Sequence, residues 1–226
     1  MEKPGSVQSI WLRLSGIELE LLPERAVWWP AERALVIADV HLGKDQVFRR
    51  SGIAIPGAVF DAELSALDHV LATRPVEHLV ILGDWVHAQP KEGEAWAQRI
   101  AEWRRCRPEL AITLVPGNHD RRLAPWLELW GIREAEEPFF LGGFRLVHDT
   151  DSKAAEAGMS GHLHPVARLR AGFDRVRLPA FAHCDDHLIL PAFGRFTGGF
   201  DGLDPRRWSM YPIAGGRVFS VSACAP

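Results

Sequence analysis

Five short polar clusters rich in histidine and aspartate lie along the chain, and four of them directly follow a short apolar segment. They are Asp39-Val40-His41, Gly83-Asp84-Trp85-Val86-His87, Pro116-Gly117-Asn118-His119-Asp120, His148-Asp149 and Gly161-His162-Leu163-His164-Pro165. A short apolar run of this kind is typical of a buried strand. A polar residue just beyond such a strand has to be hydrated or paired, so structure alone does not explain the repetition.

The regions between the clusters predict strands that alternate with helices in the first two thirds of the chain. The predicted strands are residues 17–22, 26–29, 34–38, 78–82, 110–115 and 144–147. The predicted helices begin at Pro56, lie around residues 96–103 and run from residue 125 to 130. Such alternation indicates βαβ units and a largely parallel sheet.

The last third of the chain has short strand-like runs at residues 176–178, 188–190 and 217–221, which glycine and proline separate. This pattern predicts a second sheet that packs on the first. Because no linker composition interrupts the sequence, we expect a single domain over residues 1–226.

The carboxyl ends of parallel strands share one edge of a sheet, and ligands bind at that edge. The five clusters are therefore expected to converge. Aspartate, histidine and asparagine suit Mn²⁺, Fe²⁺ or Zn²⁺ better than Ca²⁺ or Cu⁺. Seven candidate ligands exceed what one ion takes, whereas two ions that share a bridging carboxylate would use all of them.

The order Asp-x-His, Gly-Asp-x-x-His, Gly-Asn-His-Asp, a later His and Gly-His-x-His resembles the calcineurin-like metallophosphoesterases over roughly residues 34–165. This resemblance implies a four-layer α/β/β/α sandwich with two mixed sheets, and it implies which residues hold two metal ions. The first ion would be held by Asp39, His41, Asp84 and His164. The second ion would be held by Asp84, Asn118, His148 and His162, with Asp84 as the bridge.

The same resemblance implies that His119 lies beside the leaving-group oxygen, as the general acid, and that His87 contacts the phosphate. Asp120 is expected to orient His119 through a hydrogen bond, as carboxylates commonly do for imidazoles. Two arginine pairs that follow metal motifs are candidates for binding substrate phosphate, although such pairs more often face solvent. These pairs are Arg49–Arg50 and Arg121–Arg122.

Two other segments have more than one interpretation. The run His183-Cys184-Asp185-Asp186-His187 has the composition of a metal site, but two aspartates between strand-like runs more simply indicate a hairpin turn. His183 and His187 are thus either part of a hairpin or contributors to the site. Trp85 is equally consistent with the core and with a wall of the active site.

The spacing of the polar clusters and a second resemblance reduce the range of possible substrates. The clusters are each separated by about one βαβ crossover, which leaves no room for a capping domain and favours an open site for a large substrate. Residues 38–44 and 188–199 are similar to the bacterial ligase-associated DNA-damage-response phosphoesterases (the PdeM type). The glycines of the second segment are interpreted either as a flexible loop near the site or as simple turns.

That resemblance implies a DNA endonuclease and phosphodiesterase of DNA repair, associated in function with a repair helicase, an exonuclease and an ATP-dependent DNA ligase. Mn²⁺ is the metal expected first, with Fe²⁺, Zn²⁺ or Co²⁺ as alternatives. A small-molecule phosphodiesterase or a protein phosphatase of the same superfamily is the alternative function. A non-catalytic scaffold is disfavoured, because every ligand position is filled.

The 226-residue chain carries a net charge of −3, which excludes a broad cationic surface for nucleic acid. We therefore expect weak, metal-assisted contact with DNA and a preference for single strands. The three cysteines, Cys106, Cys184 and Cys224, have no paired spacing, which favours a reducing compartment. Without a stretch of 18 apolar residues, no membrane association is expected, and the expected location is the cytoplasm.

Overall fold

Two mixed β-sheets pack face to face in the computed structural model, which describes residues 8–54, 59–149, 157–171 and 174–221. Seven strands form the first sheet, in chain order: β1 (Ile10–Leu14), β2 (Ile17–Leu22), β3 (Ala26–Trp29), β4 (Ala34–Ile37), β5 (His78–Leu82), β6 (Ala111–Val115) and β7 (Arg133–Glu134). Neighbours from β1 to β4 are antiparallel and those from β4 to β7 are parallel.

The first sheet is thus parallel only in its second half, and the expectation of a largely parallel sheet was too simple. Strand β1 was not predicted. It joins β2 through a hairpin of two residues, Ser15 and Gly16, which have φ values of 44° and 83°. A two-residue hairpin needs this left-handed backbone, and it places consecutive strands antiparallel.

The second sheet follows the order β15-β14-β12-β13-β10-β9-β8, and β11 pairs with β12 off this path. Its strands are β8 (Phe139–Leu141), β9 (Phe144–Val147), β10 (Gly158–Ser160), β11 (Val166–Ala171), β12 (Asp174–Cys184), β13 (His187–Ile189), β14 (Ser209–Ala214) and β15 (Arg217–Val218). Strand β10 is parallel to both β9 and β13, and the remaining pairs are antiparallel. The prediction of a second sheet in the last third is confirmed.

Four α-helices are described: α1 (Lys44–Arg50), α2 (Val59–Ala72), α3 (Ala95–Arg105) and α4 (Ala124–Leu129). Three of them match the predicted helices, although the predicted start of α2 at Pro56 lies outside the described residues. Helix α1 was not predicted. It begins directly after Gly43, whose φ of 77° turns the chain out of the preceding loop.

Successive side chains of a strand point to opposite faces of the sheet, so the parallel strands contribute to two separate cores. Leu35 and Leu79 pack under α2, α3 and α4, whereas Val36 and Val80 pack against the second sheet. Together these layers form the predicted α/β sandwich with two mixed sheets. No helix occurs after α4 among the described residues, so the layer on the outside of the second sheet is not seen there.

Cys106 and Cys184 are free, and Cys224 lies outside the described residues. No helix in the described ranges combines the length and the apolar character that crossing a bilayer requires.

Candidate metal centre

The polar clusters meet where the carboxyl ends of strands from both sheets approach one another. The loops after β4, β5 and β6 belong to the first sheet, and the segments after β9 and β10 belong to the second. They carry the seven expected ligands: Asp39, His41, Asp84, Asn118, His148, His162 and His164. The structure brings all seven together at this edge.

Five of these seven residues have a left-handed backbone, which is uncommon for residues other than glycine. Their φ values are 53° at Asp39, 53° at His41, 52° at Asp84, 65° at His162 and 49° at His164. Such strain of the backbone clusters at functional sites, because the surrounding structure has to hold it in place. Here the five positions lie in the loops that follow β4, β5 and β10.

Backbone hydrogen bonds connect the two loops that follow β4 and β5. The amides of Asp39 and His41 donate to the carbonyls of Gly83 and Asp84, at 3.1 and 2.9 Å. From the second sheet, the amide of His162 donates to Asp39 Oδ2 at 2.9 Å. Loops that are far apart in the sequence are thereby fixed to one another at the site.

Three glycines allow the candidate ligands to approach these loops. A Cβ atom at Gly83 would lie 2.0 Å from His148 Nδ1, and one at Gly117 would lie 2.3 Å from Asp84 Oδ1. A Cβ atom at Gly161 would lie 2.7 Å from Asp39 Oδ2. Any larger residue at these positions would displace a candidate ligand.

The side chains expected to hold the second ion surround His148 Nε2. This atom lies 3.2 Å from Asn118 Oδ1, 3.0 Å from His162 Nδ1 and 3.7 Å from Asp84 Oδ1. Ligand atoms at about 2.0–2.2 Å from one ion lie roughly 3.0–3.5 Å from each other in tetrahedral or octahedral geometry. The distances to Asn118 and His162 lie within this range and the distance to Asp84 is slightly longer, so the four side chains are close enough to share one cation.

The side chains expected to hold the first ion include two buried polar atoms that lack a hydrogen bond of normal geometry, Asp39 Oδ1 and His41 Nε2. Their neighbours are other candidate ligands: His164 Nε2 lies 3.2 Å from Asp39 Oδ1, and Asp84 Oδ2 lies 3.6 Å from His41 Nε2. Leaving such atoms buried and unpaired is unfavourable. A cation among them would satisfy both.

The carboxylate of Asp84 points its two oxygens at different groups. Oδ2 faces His41 of the first set, and Oδ1 faces His148 of the second. Asp84 Oδ1 also accepts a hydrogen bond from the amide of His119 at 2.9 Å, which fixes the orientation of the carboxylate. This arrangement is the one that a bridging ligand between two ions requires.

Backbone carbonyls orient two of the candidate imidazoles. Nδ1 of His148 donates to the carbonyl of Leu82 at 3.0 Å, and Nδ1 of His164 donates to that of Gly198 at 3.2 Å. Since a carbonyl only accepts, Nδ1 carries the proton and Nε2 presents its lone pair to the site. Metal-binding histidines commonly have such a partner on the other ring nitrogen.

Burial favours the neutral, metal-binding form of His41. Desolvation lowers the pKa of His41 to about 2, and the nearby His164 and Lys44 add to this effect. Burial also acts to lower the pKa of His164, but the nearby carboxylate of Asp39 outweighs it, so this pKa lies above its ordinary value.

His119 and His87 lie next to the first set of candidate ligands. Their rings are nearly parallel, with centroids 4.7 Å apart, and a ring nitrogen of each lies within 4.8 Å of one of His41. Nδ1 of His119 donates to the carbonyl of His87 at 2.7 Å. Nε2 of His119 is therefore the atom left for exchange of a proton. Burial, followed by Lys44 and His119, lowers the pKa of His87 to about 4.

Asp120 does not orient His119, and that expectation is corrected. Its buried carboxylate accepts hydrogen bonds from the amides of Gly117 at 2.9 Å and Val86 at 3.4 Å. Asp120 thus fixes the turn that carries Asn118 and His119, and the His87 carbonyl takes the expected role. Burial raises the pKa of Asp120 to about 6 despite the bond from Gly117.

The candidate arginines have different surroundings. Arg49 pairs with Asp45 at 3.3 Å, and Arg50 forms an ion pair with Glu94. Arg121 and Arg122 are exposed, and neither guanidinium takes part in an ion pair with a described residue. The structure therefore leaves the second pair more accessible to a substrate than the first.

The His183–His187 run is a hairpin, as the simpler interpretation predicts. Cys184 pairs with His187 across the turn Asp185-Asp186, and Asp185 has a φ of 52°. The buried His187 shares a hydrogen bond of 2.9 Å with Ser160, so it is not a member of the metal centre. Trp85 is fully buried in the core and does not form a wall of the site.

Sequence reasoning missed Lys44 as a residue of the site. Its charge acts on His41 and His87, and burial lowers its own pKa although Glu63 and Asp84 oppose this. The only sequence signal is its position three residues after His41, at the start of α1.

A tail loop, residues 192–200, lies against the centre. The amides of Phe193 and Gly194 donate to the carbonyls of Ala38 and Asp39 at 2.8 and 3.1 Å. The glycines of the second segment therefore lie in a loop next to the site.

Comparison with known proteins agrees with this geometry. The sequence model of the family described as Calcineurin-like phosphoesterase matches residues 32–170. The crystal structure of Pseudomonas putida nuclease MPE is 34% identical, covers 95% of this chain and 100% of its own, and superposes with a TM-score of 0.82.

A second solved structure, the phosphoesterase Yfce from E. coli, is 16% identical. The match covers 84% of this chain and 98% of that chain, with a TM-score of 0.44. Among curated protein sequences, none matches this chain. The family match spans more than half of the chain, and the protein belongs to the calcineurin-like phosphoesterases, metal-dependent enzymes that use a dinuclear centre.

Proposed function

We propose that this protein is a nuclease that hydrolyses phosphodiester bonds of DNA with a pair of divalent metal ions. The supporting observation is the convergence of all seven candidate ligands at one edge, in a chain that resembles nuclease MPE over 95% of its length. The proposed ligands are Asp39, His41, Asp84 and His164 for one ion and Asp84, Asn118, His148 and His162 for the other. Mn²⁺ is the proposed metal, because mixed carboxylate, amide and imidazole ligands suit it.

When bound, the two ions would supply a hydroxide nucleophile near neutral pH and neutralise charge on the phosphate oxygens. The chain itself supplies the proton for the leaving group. His119 is held by the His87 carbonyl at Nδ1, so its protonated ring has one N–H left, at Nε2, to donate to the departing alkoxide. The amide of His119 meanwhile donates to Asp84 Oδ1, which couples the position of the acid to that of the bridge.

His87 is proposed to contact the phosphate. Its Nδ1 lies 3.4 Å from His41 Nδ1 and its ring stacks on His119, so the imidazole lies at the boundary between the metal ligands and the acid. The exposed Arg121 and Arg122 are proposed to bind phosphates further along the strand, with Arg49 and Arg50 in a smaller role because both already pair with carboxylates.

A preference for single-stranded DNA and a role in DNA repair complete the proposal. The net charge of −3 favours few phosphate contacts, which suits a flexible strand better than tight binding of a duplex. Association in function with a repair helicase, an exonuclease and an ATP-dependent ligase is proposed from the resemblance of residues 38–44 and 188–199.

The test compares substrates with the metal-loaded protein. We expect Mn²⁺ to restore activity to chelated protein, circular single-stranded DNA to be cut faster than duplex, and bis(p-nitrophenyl) phosphate to be hydrolysed faster than p-nitrophenyl phosphate. A phosphatase would prefer the monoester, and a small-molecule phosphodiesterase would hydrolyse the diester without cutting DNA. Either result would contradict the proposal.

A further inference from the structure

The tail loop is fixed to the metal centre at both of its ends. Phe193 and Gly194 bond to the loop that carries Asp39, and the carbonyl of Gly198 accepts a hydrogen bond from His164. Within the loop, Thr197 Oγ1 donates to the carbonyl of Gly194 at 3.0 Å. The side chains between these anchors, at positions 195 and 196, are exposed next to the site.

A row of four rings runs from the proposed acid to the surface. His119 stacks on His87, whose ring is nearly parallel to that of Phe48 at a centroid distance of 6.5 Å. Phe196 of the tail loop meets Phe48 edge to face at 6.3 Å and is 39% exposed. Isolated exposed aromatic residues are normal, but this one continues a row that begins at the reacting centre.

Positive charge lies beside this row on the same loop. Arg195 is exposed, and none of the ion pairs among the described residues includes it. Its neighbour Arg25 donates to the carbonyls of Ala192 and Gly194 at 3.2 and 3.3 Å. Together with His164, both arginines line a cleft of about 260 Å³ that adjoins the centre.

Two carboxyl groups lie near these arginines: Glu24 lines an adjoining cleft with both of them, and Glu63 interacts with Arg195. Burial, with help from Asp45, raises the pKa of Glu63 to about 8. Burial and the charge of Arg195 lower the pKa of Arg25, as expected for two guanidinium groups that face each other. Two guanidinium groups that line one cleft favour an anion in it.

We propose that the tail loop binds the single strand next to the bond that is cut: Phe196, supported by the edge-to-face contact with Phe48, stacks on one unpaired base, and Arg195 and Arg25 hold the adjacent phosphate. This inference rests on the proposed nuclease function and deepens it. Aromatic stacking accepts any base but needs it unstacked from a duplex, so the same contact explains a preference for single strands without sequence specificity.

The test separates the base contact from the phosphate contact. For the Mn²⁺-loaded protein, initial rates give KM for a 15-residue oligo(dT) and, by competition, for an abasic strand of the same length. We expect Phe196→Ala to raise KM for oligo(dT) roughly tenfold and leave that of the abasic strand unchanged, with Phe196→Tyr close to wild type. Arg195→Ala should raise both KM values and reduce the salt dependence of log KM by about 0.7, the loss of one phosphate contact.

Matched controls lie away from the site. Phe140→Ala removes an aromatic ring that is 60% exposed on β8, and Arg105→Ala removes an exposed guanidinium at the end of α3. For the two control variants, KM for oligo(dT) and kcat on the nitrophenyl diester should stay within about twofold of wild type. In every variant the bound Mn²⁺, measured by elemental analysis, should equal that of wild type, which shows an intact centre.

Two failures can be told apart. If wild-type protein cuts oligo(dT) and the Phe196 and Arg195 variants behave like the controls, the inference is wrong and the proposed function stands. If wild-type protein hydrolyses the small diester but no DNA, the proposed DNA substrate is wrong and the inference falls with it.

Discussion

At the scale of single residues, five candidate ligands have a left-handed backbone, so the loops that carry them are strained. Each such position costs about 1–3 kcal/mol, less for aspartate and histidine than for bulkier residues. The loop-to-loop hydrogen bonds and the glycines that admit the side chains offset this cost. The arrangement therefore depends on individual residues, and single substitutions should separate their roles.

Replacing His119 by alanine should reduce DNA cleavage by about 100-fold or more, because the alkoxide leaving group then lacks a proton donor. Hydrolysis of the nitrophenyl diester should fall much less, since nitrophenolate leaves without a proton. Parallel rate measurements with the two substrates check this, and metal content by elemental analysis should stay at the wild-type value. Equal losses on both substrates would remove His119 as the acid.

Replacing Gly83 by alanine should displace the His148 ring, because the new Cβ atom would lie 2.0 Å from Nδ1. We expect a loss of metal affinity of about 10- to 100-fold, measured by titration with Mn²⁺. Gly93→Ala is the matched control, since Gly93 has a similar φ of 80° but no atom within 4 Å of the added Cβ. If Gly83→Ala binds Mn²⁺ with the same affinity as Gly93→Ala, the contact between the added Cβ and His148 does not control metal affinity, and the prediction is wrong.

At the scale of secondary-structure elements, the sequence predicted the apolar strands that end at the site, because their short apolar runs and turn residues are local signals. Helix α1 was missed because it has only seven residues and few apolar ones. The order and direction of strands in the second sheet could not be predicted, since pairings such as β10 with β13 join distant segments.

The same limit applies to the site. The ligand types and their convergence followed from residues after strands, but the partners that orient them are backbone carbonyls of Leu82, His87 and Gly198, which have no sequence signature. Asp120 was misassigned for this reason: its position beside His119 was visible, but its bonds to two amides were not.

The pairing of β10 with β13 predicts a dependence of stability on pH. Burial, followed by Arg145 and His183, lowers the pKa of His187 to about 4 in the folded protein, against about 6.5 when unfolded. Between these values the unfolded chain binds more protons, so the free energy of unfolding should fall as pH falls from about 6.5 to 4. The contribution of His187 is up to about 3 kcal/mol.

Urea unfolding at pH 7 and pH 5 checks this prediction. His187→Asn should lower stability at pH 7, because it removes the partner of Ser160, but it should reduce the loss between pH 7 and pH 5. The same substitution at the exposed His69 controls for removal of an imidazole. If the free energy of unfolding of His187→Asn falls between pH 7 and pH 5 by as much as that of wild type, the lowered pKa of His187 is not the cause of the pH dependence.

At the scale of the whole molecule, the candidate ligands are divided between the two sheets. Asp39, His41, Asp84 and Asn118 follow strands of the first sheet, and the three remaining histidines follow strands of the second. Each proposed ion takes ligands from both sheets. Metal binding should therefore stabilise the packing of one sheet on the other, as well as the loops.

Binding of Mn²⁺ should raise the melting temperature. At 100 times the dissociation constant, an ion that binds only the folded state adds about 2.7 kcal/mol, or roughly 5–10 °C for a chain of this size. Thermal unfolding in EDTA and in Mn²⁺ measures the difference, and Asp84→Asn, which weakens both proposed sites, should reduce it. Identical melting temperatures with and without metal would count against a centre that joins the sheets.

The two hydrogen bonds from Phe193 and Gly194 to the loop of Asp39 limit how far the chain can be shortened. A fragment cut at the borders of the family match, residues 32–170, would keep every candidate ligand. It would lose β13, the neighbour of β10, and the segment that restrains the Asp39 backbone. A truncation is tolerated where it removes little burial and little hydrogen bonding, and this one would remove both. We therefore expect the smallest fragment that can form the proposed metal centre to be longer than the stretch matched by the family model.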